Sequence, residues 1–162
     1  MLKVHAEDGM ALTALGDTLI TIWRDQPVLS SWLHHAKALE TLANQSGEPV
    51  VLLHLILPSS PPPGSEARHR MQSDLRRLGD KVKRMIVVPI GGSLLMNLVR
   101  PIVRTVLLLS GNAKRHSVAD SVVEALLQVR AAGSARTPPE HELRDAISAL
   151  CISLGVEATI AA

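Results

Sequence analysis

Hydrophobic residues in the first part of the chain follow first a strand pattern and then a helix pattern. Met10 to Leu15 and Thr18 to Arg24 alternate or run apolar around Gly16-Asp17, a pair typical of a two-residue turn. These segments predict an opening β-hairpin. After Pro27, apolar residues recur at helical spacing as far as Gly47, which predicts an amphipathic helix ending in a left-handed glycine.

The middle of the chain predicts two strands and two helices. Val50 to Leu57 is continuously apolar and too short for a typical helix, so it predicts a buried central strand. After a proline-rich loop, a thin apolar stripe from Ser65 to about Lys83 predicts a charged surface helix. Met85 to Ile90 predicts a strand. A largely apolar helix from Leu94 to Leu109, kinked at Pro101, follows it.

The last part of the chain predicts a short strand and two helices. The strand is expected around Lys114 to His116. Ser117-Val118-Ala119-Asp120 resembles a capping box and predicts a helix that ends near Arg130. Thr137-Pro138-Pro139-Glu140 combines a Thr cap with Pro at the first helical position and begins the last helix, which Gly155 ends.

This order of elements predicts an α/β fold. Helices that alternate with apolar strands indicate a mostly parallel sheet covered by helices, and the N-terminal hairpin supplies an antiparallel edge. Residues 1–133 are expected to form the α/β domain, and residues 134–162 a linker and an appended C-terminal amphipathic helix.

Composition excludes several classes of protein. The chain has 162 residues, a formal net charge of +2 and one cysteine, which cannot form an intramolecular disulfide or a thiolate metal site. It contains neither Tyr nor Phe, so the stacking platforms of single-strand nucleic-acid binders are missing. The absence of a leader or a membrane-spanning segment in the sequence predicts a cytoplasmic protein.

Two segments resemble the STAS-like domain of bacterial anti-sigma-factor antagonists. They are Thr18-Leu19-Ile20-Thr21-Ile22-Trp23-Arg24 and His116-Ser117-Val118-Ala119-Asp120-Ser121-Val122, within a similarity of element order that covers residues 9–131. The resemblance implies a small bacterial regulatory protein that binds other proteins. It also implies a phosphorylated serine after the central strand, beside an aspartate. Here the corresponding segment, residues 58–65, has serines but no adjacent aspartate.

Ser60 and Ser65 are therefore the candidate phosphorylation sites. A phosphate on either would lie near helix-terminal amides and Arg68. The alternative for Ser65 is a structural one, in which it is the N-cap of the charged helix.

Charge is concentrated in the middle of the chain. Residues 64–115 contain eleven basic and three acidic side chains, whereas the segments on either side are net acidic. These residues could form a docking patch, or they could be a solvated helix face. The predicted partner-binding residues are Arg68, Arg76, Arg77, Lys81, Arg84, Arg100 and Arg104.

The remaining chemistry-bearing residues point to no catalytic group. The histidines follow no ligand spacing, and His34 and His35 are adjacent, so no metal or other cofactor is expected. His54 is predicted to be a buried neutral imidazole bonded to a backbone carbonyl, and Cys151 a packed thiol. Gly91-Gly92-Ser93 could hold an anion at Gly92 and Ser93, although a structural strand-to-helix turn is the favoured interpretation.

The sequence thus predicts a non-catalytic regulatory or scaffold domain that acts by protein–protein docking in bacterial signalling. The alternative is a domain that binds a small ligand or anion, as a degenerate enzyme, at the Gly91-Gly92-Ser93 turn. A homodimer through residues 94–109 and the C-terminal helix is possible on the apolar pattern, and nucleic acid is a less favoured partner.

Overall fold

The computed structural model describes residues 3–91, 97, 101, 105 and 113–161. Within these residues, six strands form one sheet in which the order in space follows the order in sequence. They are β1 (His5–Glu7), β2 (Met10–Leu15), β3 (Thr18–Trp23), β4 (Val50–Ile56), β5 (Val82–Pro89) and β6 (His116–Val118). β1, β2 and β3 pair antiparallel, and β3 to β6 pair parallel. The predicted α/β class, with a mostly parallel sheet and an antiparallel N-terminal edge, is confirmed.

The helices of the described chain cover both faces of the sheet. They are α1 (Leu29–Ser46), α2 (Ser65–Arg77), α3 (Val122–Ala132) and α4 (Glu140–Ser153). Apolar side chains of α1 and α2 pack with alternate residues of β2 to β5 in one hydrophobic cluster. Apolar side chains of α3 and α4 pack with the strand residues that face the opposite side of the sheet, in a second hydrophobic cluster. Because side chains alternate between the two faces of a strand, the continuously apolar β4 supplies both cores, as its sequence predicted.

The N-terminal hairpin and the first helix are confirmed. β2 and β3 join at Gly16-Asp17, where Gly16 has a φ of +58°. α1 ends at Gly47, whose φ of +70° is the left-handed conformation that glycine adopts without strain. The three-residue strand β1 was not predicted, because its sequence, His-Ala-Glu, has no apolar alternation.

Some predicted boundaries are wrong. α2 ends at Arg77 rather than near Lys83, because a short 3₁₀ turn at Gly79–Lys81 ends the α-helical hydrogen bonding and β5 starts at Val82. The sixth strand is displaced to His116–Val118, after a 3₁₀ turn at Ala113–Arg115. The predicted helix from Leu94 to Leu109 lies outside the described residues, apart from the isolated positions 97, 101 and 105.

Both predicted N-caps in the last part of the chain are also wrong. Ser117 is in β6, and the hydroxyl of Ser121 caps α3 by accepting a hydrogen bond from the backbone N–H of Glu124 at 3.1 Å. Pro139 is the N-cap residue of α4. The hydroxyl of Thr137 instead donates to Asp17 and accepts from the backbone N–H of Ser134 at 2.7 Å, so both of its hydrogen-bonding functions are used away from the helix.

The C-terminal helix belongs to the same hydrophobic core. Leu143, Ile147, Leu150 and Cys151 on α4 are fully buried in the cluster that covers β2 and β3. The predicted apolar stripe of this helix therefore contacts its own sheet. The described residues give no support to a dimer through it, since its exposed large apolar side chain is Ile152. Among the helices of the described ranges, none is long and apolar enough to cross a membrane.

Candidate functional site

Basic side chains meet at the edge of the sheet where the parallel strands begin, which we call the amino edge. Each helix that connects parallel strands ends at this edge, so residues distant in sequence come together there. Lys81 donates to the side-chain oxygen of Asn44 near the end of α1, at 2.9 Å. Arg136 donates to the carbonyl oxygen of Ser46 at 3.0 Å. The chain before β5 and the chain after α3 thus both bind the end of α1.

Two more hydrogen bonds join the start of the fifth and sixth strands to this edge. The ammonium group of Lys83 donates to the carbonyl oxygen of Gly133, after α3, at 3.0 Å. The guanidinium of Arg115 donates to the carbonyl oxygen of Gly79 at 2.7 Å. We define the amino-edge basic surface as the set that shares this location: Arg76, Arg77, Lys81, Lys83, Arg84, Lys114, Arg115, Arg130 and Arg136.

Two causes explain why cations are stable at this surface. Helix carboxyl ends carry partial negative charge, and α1, α2 and α3 all end here. Acidic side chains also contribute: Glu40 lies 3.1 Å from a guanidinium nitrogen of Arg77 and 3.7 Å from the ammonium of Lys81. Glu48 and Asp80 are the exposed acids nearby in sequence. The basic side chains outnumber these acids, so the surface keeps a positive potential.

His116 lies within the basic surface without adding charge to it. Burial, together with smaller effects of the neighbouring charges of Arg84 and Arg115, lowers the pKa of His116 to about 4. The imidazole is therefore neutral at pH 7. The positive charge of the amino-edge basic surface comes from lysine and arginine.

One of the predicted partner-binding residues has a structural role. The carboxylate of Asp74 is buried at 2% exposure and accepts a hydrogen bond from the indole N–H of Trp32 on α1 at 2.9 Å. Arg70 and Arg77 cover this carboxylate from the solvent side, at 2.9 and 3.4 Å. Arg77 thus neutralises a buried charge between α1 and α2, so its replacement would affect stability as well as any docking.

We expect Asp74→Ala to lower the free energy of unfolding by about 2–4 kcal/mol, because it leaves the buried indole N–H without an acceptor. Urea titration of the variant measures this loss. In a Trp32→Phe background the same substitution should cost clearly less, since the donor is already absent. Equal costs in the two backgrounds would show that the Trp32–Asp74 hydrogen bond is not the cause.

The predicted partner-binding residues divide into separate places. Arg76, Arg77, Lys81 and Arg84 are at the amino edge, as are two cations that the sequence analysis did not include, Arg130 and Arg136. Arg68 is in the first turn of α2, at the opposite edge of the sheet, because α2 runs against the strands. Arg100 and Arg104 lie outside the described residues. The preference of basic residues for helix carboxyl ends is the signal that could have identified Arg130 in the sequence.

The two candidate phosphorylation sites differ in accessibility. Ser60 is buried at 4% exposure, and its hydroxyl donates to the carbonyl oxygen of Asp25 at 2.9 Å. Ser65 is exposed in the first turn of α2. The residue at the N-cap position is Gly64, so the prediction that Ser65 caps this helix is wrong. The candidate anion site, Gly92 and Ser93, lies outside the described residues.

The interior of the α1 side contains two neutral histidines. His54 Nδ1 accepts from the indole N–H of Trp23 at 3.0 Å, which places its proton on Nε2. The predicted burial of His54 is confirmed, but its partner is this indole rather than a backbone carbonyl. His35 Nδ1 lies 3.1 Å from the hydroxyl of Thr21, and the two imidazole centroids are 4.7 Å apart.

Burial controls the protonation of this pair. Desolvation lowers the pKa of His35 to about 3, and it holds the pKa of His54 well below its usual range, with smaller effects from His35 and His116. The Trp23 ring lies beside both imidazoles, and the Trp32 ring lies beside His35. An imidazole with a pKa this low and almost no contact with solvent is a poor general base at neutral pH.

Cys151 is likewise part of the core. Its side chain is fully buried on α4, and burial raises the pKa of the thiol to about 11. Since the thiolate is the reactive form, this cysteine is unreactive at neutral pH. The prediction of a packed thiol is confirmed.

Comparison with known proteins assigns no function to these residues. No protein-family model matches the chain, and no curated protein matches it. The α/β class therefore rests on the sheet itself, and each functional role rests on the contacts of the residues concerned.

Proposed function

We propose that this protein is a non-catalytic regulatory or scaffold domain that binds an acidic segment of another protein on the amino-edge basic surface. The observation that supports the proposal is that basic residues from the end of α2, the start of β5, the turn before β6 and the end of α3 meet at one edge of the sheet. A concentrated positive surface steers an acidic partner and favours it over a basic one. A role in bacterial signalling follows from the resemblance to the STAS-like domain.

An acidic protein segment suits this surface better than nucleic acid does. The cations are spread around the ends of several helices and strands. Within the described residues they do not lie together on one exposed helix that could enter the major groove of DNA. Aromatic side chains that could stack on bases are also missing from the described surface, because both tryptophans are buried.

Phosphorylation would act at a different place from this surface. Ser65 is the accessible candidate, and a phosphate there would lie at the amino end of α2 with Arg68 one turn away. We expect such a phosphate to regulate a second contact at the opposite edge. Ser60 would need its loop to open first, since its hydroxyl is buried and bonded to Asp25.

Charge reversal at two exposed positions tests the proposal. Lys114 and Arg130 contact no acidic side chain within the described part of the chain, so Lys114→Glu with Arg130→Glu should lower the free energy of unfolding by only about 1 kcal/mol, through the acid placed at the end of α3. The control is Arg68→Glu with Lys37→Glu, which makes the same change in net charge away from the amino edge. Proteins captured from an extract of the source cells on each immobilised variant are eluted by raising the salt concentration and then quantified.

We expect one or a few acidic proteins to be retained by the wild type and the control and reduced at least about tenfold by the amino-edge variant. Equal retention by the two variants would contradict the proposal. Salt-sensitive binding of duplex DNA that only the amino-edge variant loses, without any protein partner, would assign the surface to nucleic acid instead.

A further inference from the structure

Three ligand-type side chains meet on the surface beside the edge strand β1. His5 and Glu7 are two residues apart on β1, so both side chains project from the same face of the strand. His5 is opposite Leu12 and Glu7 is opposite Met10, and both apolar partners belong to the hydrophobic cluster beneath α1. Directly paired residues share a face, so His5 and Glu7 are on the side of the sheet that α1 covers.

The third side chain, His34, comes from α1. The carboxylate of Glu7 lies between the two imidazoles: one oxygen is 3.2 Å from His5 Nε2, and the other contacts His34 Nδ1. The two imidazole rings meet edge to face with centroids 5.3 Å apart. These contacts place one ligand atom of each residue within 4.8 Å of the other two.

A second contact fixes β1 relative to α1. The hydroxyl of Ser30, in the first turn of α1, donates to the carboxylate of Asp8, directly after β1, at 2.9 Å. This hydrogen bond lies one turn of helix from His34 and one residue from Glu7. The three ligand-type residues are therefore positioned by two independent connections, the pairing of β1 with β2 and the contact of Asp8 with Ser30.

From this geometry we propose that His5, Glu7 and His34 bind one divalent transition-metal ion of the Zn²⁺ type. Two imidazoles and one carboxylate are a donor set that Zn²⁺ takes in proteins, with ligand distances of about 2.0–2.2 Å. Tetrahedral ligands at such distances are about 3.3 Å apart, and the separation of 3.2 Å between His5 and Glu7 already matches this value. A small rotation of the His34 ring completes the arrangement.

Besides this rotation, binding requires a change of tautomer at each imidazole. Without the ion, His5 Nε2 and His34 Nδ1 face the Glu7 carboxylate as hydrogen-bond donors. In the bound state those nitrogens present their lone pairs to the ion, and the proton of each neutral ring is on its other nitrogen. The three protein ligands leave a fourth position for water, since the side chains of His5 and His34 are each 46% exposed.

The ion would attach the edge strand to the first helix. β1 has three residues and pairs only with β2 within the described sheet, so it is held by few contacts. A ligand from α1 and two from β1 would cross-link the two elements. The metal therefore stabilises this part of the folded state.

Titration of the tag-free protein with ZnCl₂ tests the site. We expect a stoichiometry of one ion per chain by calorimetry and a rise in the melting temperature of roughly 5 °C or more at saturating Zn²⁺. Mg²⁺ and Ca²⁺, which prefer oxygen ligands, should give no shift. Affinity should weaken as the pH falls, because protons compete for the imidazole nitrogens.

Ligand variants and a matched control identify the residues. His34→Gln and Glu7→Gln should each weaken Zn²⁺ binding at least about tenfold, whereas His69→Gln, which removes an exposed histidine on α2, should leave it unchanged. All these positions are on the surface, so the variants are expected to fold. Co²⁺ gives a second readout, because a tetrahedral site produces intense visible absorption that His34→Gln should abolish.

Absence of Zn²⁺ binding by the wild type would overturn the proposal. It would equally be overturned if His34→Gln bound Zn²⁺ as tightly as His69→Gln, because the ion would then be held by other residues.

Discussion

Asp17→Ala is expected to lower the free energy of unfolding by about 3–5 kcal/mol, among the largest effects of any single substitution in this chain. The Asp17 carboxylate is 2% exposed at the turn between β2 and β3. It accepts hydrogen bonds from the backbone N–H and the hydroxyl of Ser134, at 3.0 and 2.8 Å, and from the hydroxyl of Thr137 at 2.9 Å. Removing the carboxylate leaves the two hydroxyls without this acceptor, whereas the backbone N–H of Ser134 keeps its other acceptor, Thr137 Oγ1, at 2.7 Å.

The effect is large because Asp17 joins segments almost 120 residues apart. The chain from Ser134 to Pro138 leads into α4, and it packs so closely on the hairpin that a Cβ at Gly16 would collide with the carbonyl oxygen of Arg136. Loss of the carboxylate therefore loosens the entry to α4, which covers β2 and β3. The substitution should increase local exchange of amide hydrogens in this segment as well as lowering global stability.

Urea titration of Asp17→Ala beside Asp25→Ala measures the contribution of the buried carboxylate. Asp25 is an exposed acid at the other end of β3, paired with Arg24, so its loss should change stability by less than about 1 kcal/mol. In a double-mutant cycle, Thr137→Val should cost less once Asp17 is absent. Similar midpoints for the two aspartate variants would contradict the structural role of Asp17.

Acidification is expected to unfold the protein through the buried histidine pair. Desolvation lowers the pKa of His35 to about 3 in the folded state, against an ordinary value of 6.5, and lowers that of His54 well below the same value. Since the folded pKa is below the unfolded one, folding favours the neutral ring. The stabilisation is therefore complete above pH 6.5 and is lost as the pH falls from there toward the folded pKa.

The expected size of the effect follows from proton linkage. Each such histidine reduces the free energy of unfolding by up to about 1.4 kcal/mol per pH unit in this range, so the pair costs about 3 kcal/mol between about pH 6.5 and pH 5. This is a large part of the 5–15 kcal/mol typical of a folded domain. Urea titrations at a series of pH values measure the slope.

His35→Leu should reduce that slope by about a third, because three histidines with lowered pKa values, His35, His54 and His116, contribute to it and one of them is gone. The matched comparison is His69→Gln, which removes an exposed histidine on α2. A free energy of unfolding that stays constant from pH 6.5 to 5 would show that the interior of the α1 side accepts charge, and that the pair is not desolvated as described.

Local sequence patterns correctly predicted the elements that are defined by turn residues or by a regular spacing of hydrophobic residues. The hairpin at Gly16, the end of α1 at Gly47 and the central strand β4 all follow from turn chemistry and hydrophobic period. These patterns failed where hydrogen bonds decide a boundary, as at the 3₁₀ turn of Gly79–Lys81 and at the cap Ser121.

The amino-edge basic surface was predicted only in part, because its residues come from separate segments of the chain. The concentration of basic residues between positions 64 and 115 is visible in the sequence, but the sequence order does not show that Arg68 and Arg77 are at opposite edges of the sheet. Nor does it show that Arg77 neutralises the buried Asp74. Arg130 and Arg136 join the same surface only because α3 runs back to the start of the strands.

By itself, then, the sequence determined the α/β class, the antiparallel start and most of the core, because burial of apolar side chains imposes a period that can be seen along the chain. Tertiary structure alone decided the roles of Asp17 and Asp74, the enclosure of His35 against His54, and the meeting of His5, Glu7 and His34. Each of these depends on polar atoms brought together from distant positions. Such contacts do not follow a regular spacing along the sequence, so only the folded chain reveals them.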